Sequence, residues 1–220
     1  MKDVVLDLLY PNVCGVCNVV CKESLCKKCE ISLSSYHVNR VVYGVGKYFD
    51  SSVSVFKYEG IIRKKIIEYK YGDKAYLYKF FSKIISKNVK IFGLFENNYD
   101  IIIPVPIYKK KKRIRGYNQT ELIAREISSE VDGLEYCDDV LLKIIDTNVQ
   151  SLLSKKERKS NIKDVFEVNY KYIEKIRDKR IILFDDIYTT GSTVNECSRI
   201  LKKYGVSKIL VLTLAKDELN

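Results

Sequence analysis

The chain has 220 residues, 46% of them hydrophobic and 30% charged, which suits one α/β domain with a single main core and a small appendage. Its first residues, MKDVVLDLLYP, are too short and too acidic for a secretory signal, and no later apolar run is long enough to span a bilayer. We therefore expect a cytoplasmic protein that does not span a membrane. The net charge of +11 admits a polyanionic partner such as nucleic acid, and equally an ordinary solvated, lysine-rich surface.

Five of the seven cysteines lie within residues 14–29. Two CxxC pairs in that segment can present four thiolates to one tetrahedral ion, and zinc is the expected metal. An odd number of unevenly placed cysteines argues against a disulfide framework, and a thioredoxin-like redox pair would require a surrounding βαβ pattern that is missing. The predicted structural zinc ligands are Cys14, Cys17, Cys26 and Cys29.

Three other residues near the pairs have their own interpretation. Cys21 lies between the pairs and is an alternative fourth ligand, although the paired spacing makes it the spare thiol. Gly15 suits a tight turn. His37 falls outside the ligand spacing and is interpreted as a surface or packed histidine. A segment this short cannot bury a core, so the metal is expected to fold a knuckle over residues 1–40, followed by the main domain over 41–220.

Strand and helix patterns then alternate. Residues Val53–Tyr58 alternate as a strand does, and apolar residues recur at helical spacing over Ile61–Tyr69. A further helix is predicted from Lys74 to about Val89. Residues 100–105 form a buried strand that runs into Pro106, so a ligand-facing loop should follow.

That loop is predicted from Tyr108 to Gln119, before a helix that ends near Glu130. It is rich in cations, among them Arg113 and Arg115. Ligands of open α/β sheets bind at the carboxyl ends of strands, so these cations can neutralise a diphosphate, with arginine offering paired hydrogen bonds. Tyr108 and Tyr117 are also candidates for stacking on the bases of a single strand.

The most informative stretch, Arg180–Thr193, has the pattern of a strand, a loop of small residues and the start of a helix. The helix is predicted to end near Tyr204, and another strand lies near Lys208–Leu214. The loop can direct several backbone amides and hydroxyls at one phosphate. Gly191 permits a close backbone approach, and the amino terminus of the helix adds favourable partial charge.

Two adjacent carboxylates, Asp185 and Asp186, end the predicted strand. They would repel a phosphate, so we expect them to face ribose hydroxyls, with Mg²⁺ relieving their repulsion from a diphosphate. A helix capped after an acidic turn would account for Ser192 or Thr193 but leaves the acidic pair unexplained.

The segment Asp185–Thr193 resembles the phosphoribosyl-pyrophosphate motif of type I phosphoribosyltransferases. Four further stretches resemble the ComF family in order and spacing: Tyr58–Gly60 with Ile66–Tyr71, Ile103–Pro106, Arg115–Gln119, and Gln150 with Glu157, Arg158 and Asn161. With the cysteine knuckle, the resemblance covers nearly the whole chain. It implies an α/β fold of the type I phosphoribosyltransferase kind, with a mainly parallel sheet flanked by helices and a small N-terminal zinc knuckle held by four cysteines.

The resemblance also implies roles for individual residues. Asp185 and Asp186, the predicted catalytic residues, would hold the ribose, and the loop after Pro106 would approach the pyrophosphate. Residues 147–164 would form a mobile lid that excludes water. One departure is that the family often has arginines where this chain has Lys143 and Ile145. The predicted substrate-binding residues are Thr189, Thr190, Gly191, Ser192 and Thr193 for the 5′-phosphate, together with Arg113, Arg115, Gln150 and Arg158.

ComF-family proteins are associated with natural competence, the import of single-stranded DNA. The resemblance therefore implies a competence protein that binds phosphoribosyl pyrophosphate, single-stranded DNA or both, together with other DNA-uptake proteins. One alternative is an active phosphoribosyltransferase with an unknown acceptor, which needs mainly positioning and electrostatics. Another is a sensor that binds the ligand without turnover.

Overall fold

The computed structural model describes residues 12–91, 99–146 and 164–217. Its strands are β1 (His37–Tyr43), β2 (Ser51–Lys57), β3 (Ile101–Pro104), β4 (Glu135–Tyr136), β5 (Leu141–Lys143), β6 (Phe166–Val168), β7 (Arg180–Tyr188) and β8 (Lys208–Lys216). Its helices are α1 (Lys27–Leu33), α2 (Gly60–Tyr71), α3 (Leu77–Ile91), α4 (Lys109–Arg115), α5 (Gln119–Ser129), α6 (Ile173–Ile176) and α7 (Ser192–Lys203). Single 3₁₀ turns cover Ser34–Tyr36 and Tyr170–Tyr172.

Six strands form one sheet in the order β1-β2-β8-β7-β3-β4. The β1–β2 pair is antiparallel, and the four other pairs of neighbours are parallel. Strands β5 and β6 form a separate antiparallel pair. The predicted mainly parallel sheet flanked by helices is therefore confirmed.

Strands β7 and β8 lie at the centre because their apolar runs can be buried on both faces, as parallel strands require. Strand alternation sends Ile182, Phe184 and Leu210 into a core covered by α2, α3 and α5. It sends Ile181 and Leu183 into a second core, covered by α6, α7 and the β5–β6 pair. The sheet is thus a layer that is buried between two apolar cores.

The cysteine-rich segment packs directly on the main domain. Gly15 lies in a turn, as predicted, but a second constraint acts on it: an added Cβ would lie 2.5 Å from Cγ of Phe80 on α3. Leu33 of α1 belongs to the core of the main domain. Strand β1 runs across the predicted boundary between residues 40 and 41, so an independent unit over residues 1–40 stays a prediction.

The segment after β3 differs from the predicted loop. Residues Lys109–Arg115 form the helix α4, because long, unbranched lysine and arginine side chains favour helix. Gly116 ends that helix in the left-handed conformation with φ 80°, and Asn118 then caps α5 by accepting a hydrogen bond from Thr120 N. The cations therefore lie on a short rigid element. Within the described residues, no helix combines the length and the apolar character needed to cross a membrane.

Candidate functional site at the carboxyl edge of the sheet

The two acidic residues lie within β7 and not in a loop beyond it. Asp185 is in register with Thr213 of β8, and strand alternation directs Asp185 and Asp186 to opposite faces of the sheet. The Asp186 backbone N–H donates a hydrogen bond of 2.8 Å to Asp185 Oδ1. The pair thus presents one carboxylate to each side of the strand end.

A cation that the sequence analysis did not select contacts this pair. Lys70, on the last turn of α2, places its Nζ 2.7 Å from Asp186 Oδ2, with the two side chains 18% and 19% exposed. Although burial favours the neutral amine, Asp186 and Asp185 hold the pKa of Lys70 above its usual value. Lys70 belongs to a stretch that carried the family resemblance, but no sequence pattern placed it beside β7.

Asp185 lies in a different electrostatic environment. Burial and the negative charge of Asp186 raise the pKa of Asp185 to about 7, against the opposing influence of Lys70 and Lys143. Burial and the positive charge of Lys111 on α4 in turn lower the pKa of Lys143 on β5. Lys70 and Lys143 therefore act on the acidic pair, and Lys111 lies close enough to both lysines to affect them.

The loop after β7 leads into the amino terminus of α7. Gly191 has φ 71°, and an added Cβ would lie 2.3 Å from the Tyr188 hydroxyl, so glycine is required there. Thr190 Oγ1 lies 2.8 Å from Ser192 Oγ and accepts a hydrogen bond of 3.3 Å from Ser192 N. The N-cap residue of α7 is Gly191, not Ser192 or Thr193 as in the capped-helix alternative, and Thr190 Oγ1 takes up the Ser192 N–H. The following first-turn amides, with Thr189, Thr190 and Thr193 alongside, can face an anion.

The cations of α4 divide between two surroundings. Arg113 lines a cleft of about 710 Å³ between α4 and the β5–β6 pair, together with Lys109, Lys110, Lys112 and Lys143. Arg115 lies on the α2 side, with its guanidinium carbon 5.0 Å from the centre of the Tyr71 ring, and donates to Gln119 Oε1. The two arginines predicted to act together therefore occupy different places.

The two tyrosines proposed for base stacking also have different surroundings. Tyr108 lines the cleft beside α4. Tyr117 packs 5.8 Å from the Tyr69 ring and donates a hydrogen bond of 2.6 Å to Tyr69 O. Tyr117 is partly buried and engaged with Tyr69, and its stacking on bases stays a prediction.

The predicted lid falls almost wholly outside the described residues, and with it Gln150 and Arg158. The strands on either side are described. Lys143 of β5 is in register with Phe166 of β6, so residues 147–163 connect the two strands of an antiparallel pair that borders the cleft.

The four predicted zinc ligands converge. The sulfur atoms of Cys14, Cys17, Cys26 and Cys29 all lie within 4.8 Å of one another. Cys17 Sγ and Cys26 Sγ are 3.9 Å apart. Tetrahedral zinc with Zn–S bonds of ~2.3 Å would separate its sulfurs by about 3.8 Å, so this cluster could hold a metal such as zinc.

The surroundings of the cluster favour thiolate at one position. Burial disfavours the charged form of Cys14, but backbone N–H groups of Cys17 and Cys26 lower the pKa of Cys14 to about 6. Cys21 lies outside the cluster, where its thiol donates a hydrogen bond of 2.8 Å to Glu23 O. His37 also lies outside it and packs against Phe56, with ring centres 4.7 Å apart. Both agree with the sequence analysis.

Known proteins are similar in sequence to the part of the chain that carries this site. Residues 121–218, which include β7, its loop and α7, match the model of the phosphoribosyl transferase domain. Competence protein F of Haemophilus influenzae is 38% identical over 53% of this chain and 50% of its own length. Competence protein ComFC of Streptococcus pneumoniae is 26% identical over 74% of this chain and 67% of its own. These matches support a ComF-family phosphoribosyltransferase-like protein.

The extent of the matches varies among ComF-like relatives. The chain spans half of Competence protein F, whereas it is 23% identical to 93% of the DNA utilization protein YhgH of Escherichia coli K12, over 96% of its own length. Among solved structures, a hypoxanthine phosphoribosyltransferase from Staphylococcus aureus matches with a TM-score of 0.37 and 13% identity, covering 61% of this chain and 64% of that one. A purine phosphoribosyltransferase from Pyrococcus horikoshii has a TM-score of 0.34 and 19% identity, covering 65% and 75%.

The metal content of the protein should depend on the four clustered cysteines and not on Cys21. Purified protein should hold about one equivalent of zinc, which Cys14→Ser or Cys29→Ser should remove with a fall in Tm. Cys21→Ser is the matched control and should retain the metal. Elemental analysis and thermal unfolding measure both effects, and equal metal loss in the Cys21 variant would show that the ligand set is wrong.

The raised pKa of Asp185 predicts that ionisation of this carboxyl group lowers the stability of the folded protein. The pKa of Asp185 rises from an ordinary value of 3.8 to about 7 on folding, so its contribution to stability falls as the pH rises through that interval. Asp185→Asn should therefore raise the Tm of the ligand-free protein by a few degrees at about pH 8, and by less towards about pH 5. Thermal unfolding at the two pH values measures the difference.

Asp178→Asn is the matched control for this measurement. Asp178 is exposed, has a left-handed backbone with φ 58° that asparagine tolerates, and lies at the opposite end of β7. The Asp178→Asn variant should show no gain in Tm that increases with pH. An Asp185→Asn gain that is the same at both pH values would refute the assigned environment.

Proposed function

We propose that this ComF-like chain binds phosphoribosyl pyrophosphate with Mg²⁺ at the carboxyl edge of its sheet and acts in natural competence. The observation that carries the proposal is the junction of β7 and α7, where two carboxylates precede a helix amino terminus that begins at Gly191 inside the matched domain. An anion and a diol are the ligands that this combination suits.

The geometry supports a division of the ligand among these groups. The 5′-phosphate would bind the amides and hydroxyls of Thr189–Thr193, and the ribose hydroxyls would bind Asp185 and Asp186. Lys70 and Lys143 interact with the acidic pair, Lys111 interacts with both of them, and these three lysines would face the diphosphate. Gln150 and Arg158, which lie outside the described residues, are the further residues that we propose for ligand binding.

Magnesium fits the donor chemistry of the site. Carboxylate oxygens are ligands that Mg²⁺ accepts while keeping several waters and substrate phosphates. When bound, the ion would neutralise charge between the carboxylates and the diphosphate. Arg113 and Arg115 lie on different sides of α4. We therefore assign the diphosphate to the lysines and Arg115. Arg113 instead lines the cleft between α4 and the β5–β6 pair.

The competence role rests on relatives and on surface charge. Competence protein F, ComFC and YhgH, a DNA utilization protein, are the matched relatives. Helix α4 exposes the cations Lys109, Lys110, Lys112 and Arg113, which suit a polyanion. We propose that this surface contacts single-stranded DNA in the cytoplasm, where the chain would work with other DNA-uptake proteins.

A transferase reaction is the second candidate, and the cleft beside Lys143 favours it. With a volume of about 710 Å³, the cleft has room for a small acceptor. In this reaction an acceptor nitrogen would attack the ribose carbon as the bond to pyrophosphate breaks, and the electron pair would leave with pyrophosphate. A sensor without turnover would use the same ligand site.

Calorimetric titration tests the ligand site. Wild-type protein with Mg²⁺ should bind phosphoribosyl pyrophosphate, and the double variant Asp185→Asn, Asp186→Asn should lose at least about tenfold in affinity because it lacks both charged acceptors of the ribose hydroxyls. Asp178→Asn is the control and should bind as wild type does. Absence of binding to wild type contradicts the proposal. Pyrophosphate release on addition of an acceptor base would favour the transferase over the sensor.

Single-stranded DNA binding should depend on salt and on α4. Each phosphate neutralised contributes about 0.7 to the slope of log affinity against log salt concentration, so Lys109→Ala with Lys110→Ala should lower that slope by about 1.4. Lys171→Ala with Lys179→Ala removes equal charge from exposed positions elsewhere and should change it less. Fluorescence anisotropy of a labelled oligonucleotide measures the slope. Salt-insensitive binding, or none, would overturn the DNA role.

A further inference from the structure

Lys70 links the acidic pair to a part of the chain outside the matched domain. It is carried by α2, whereas the match to the phosphoribosyl transferase domain begins at residue 121 in α5. Its Nζ lies 2.7 Å from Asp186 Oδ2, and less than a fifth of each side chain is exposed. This is a close, partly desolvated ion pair at the centre of the ligand site.

The pair occupies a position that the ligand needs. In the proposed site, Asp186 accepts a ribose hydroxyl or faces Mg²⁺, and an ammonium in direct contact with its carboxylate competes with either one. A lysine ammonium is a compact point charge on a flexible stem of four carbons, so it can change partner without movement of the backbone.

We propose that Lys70 is a displaceable counter-ion, which neutralises Asp186 in the ligand-free protein and turns to the diphosphate when ligand and metal take over the carboxylate. This inference rests on the proposed function and assigns the site a binding residue from α2. The exchange conserves charge: one cation leaves the carboxylate as another arrives, and the ammonium then pairs with an oxygen of the diphosphate.

The surroundings of Lys70 supply the second partner. Burial lowers the pKa of Lys111 on α4 against the opposing charge of Asp146, and the positive charges of Arg115 and Lys70 lower it further, so the Lys70 and Lys111 ammonium groups repel each other. An anion bound between α2 and α4 would neutralise both. If the Lys70–Asp186 ion pair served only to fasten α2 to β7, the nearby Lys111 ammonium would not strengthen it.

Pyrophosphate and Mg²⁺, two ligands of opposite charge, distinguish a displaceable counter-ion from an ion pair that only fastens α2 to β7. Lys70→Met should weaken binding of inorganic pyrophosphate, measured without Mg²⁺, by about tenfold, because a charge-assisted contact is lost. The same variant should bind Mg²⁺, measured without diphosphate, several times more tightly, because no ammonium competes for Asp186. Calorimetry measures the first effect, and the dependence of Tm on Mg²⁺ concentration measures the second.

Matched variants control for general effects of the substitution. Lys64→Met removes an exposed lysine from the same helix and should change neither affinity. Lys70→Arg keeps the charge, should retain pyrophosphate binding and, with its two-pronged hold on a carboxylate, should weaken Mg²⁺ binding. The arginine variant keeps the inference testable if the methionine variant does not fold.

The outcomes distinguish this inference from the function on which it rests. Opposite changes in the two affinities support the displaceable counter-ion. Unchanged pyrophosphate affinity in Lys70→Met, with phosphoribosyl pyrophosphate still bound by wild type, would overturn the inference and leave the proposed function intact. Failure of wild type to bind either phosphate compound would refute both.

Discussion

The burial of β7 and β8 on both faces is the constraint on which the rest of the structure depends. Parallel strands in this position require apolar side chains along their length, and β7 meets that requirement from Ile181 to Phe184. After this apolar run, β7 continues with Asp185 and Asp186. The acidic pair therefore lies at the carboxyl edge of the sheet, and that edge becomes the candidate site.

Charge compensation then shapes the surroundings of that edge. Burial, and next the negative charge of Asp186, raise the pKa of Asp185, and Lys70 of α2 and Lys143 of β5 oppose that rise. The arrangement suits a ligand that brings both anionic groups and hydroxyls. It also makes the site electrostatically costly before a ligand binds, as expected where a binding site is maintained at the expense of stability.

Local patterns predicted most of the fold and the centre of the site. The apolar runs of β3, β7 and β8, the helical spacing in α2 and α7, and the paired cysteines each depend on residues close in sequence. Features that depend on distant contacts were missed or mistaken. Lys70 meets Asp186 only after α2 packs on the sheet, and Tyr117 turns inward because Tyr69 offers it a carbonyl. A loop was predicted after the strand that runs into Pro106, but residues Lys109–Arg115 form the helix α4.

The cysteine cluster also contributes to the position of the site, although it lies outside it. Gly15 packs on Phe80, the Phe80 and Phe81 rings are 4.8 Å apart, and Phe81 lies 5.5 Å from Tyr69. Tyr69 directly precedes Lys70, and its hydroxyl donates a hydrogen bond of 2.9 Å to Gln119 O at the start of α5. Because protein interiors are close-packed, one ring of this layer cannot shift far unless its neighbours shift with it. A metal bound by the four cysteines would therefore support the last turn of α2, which presents Lys70 to the acidic pair.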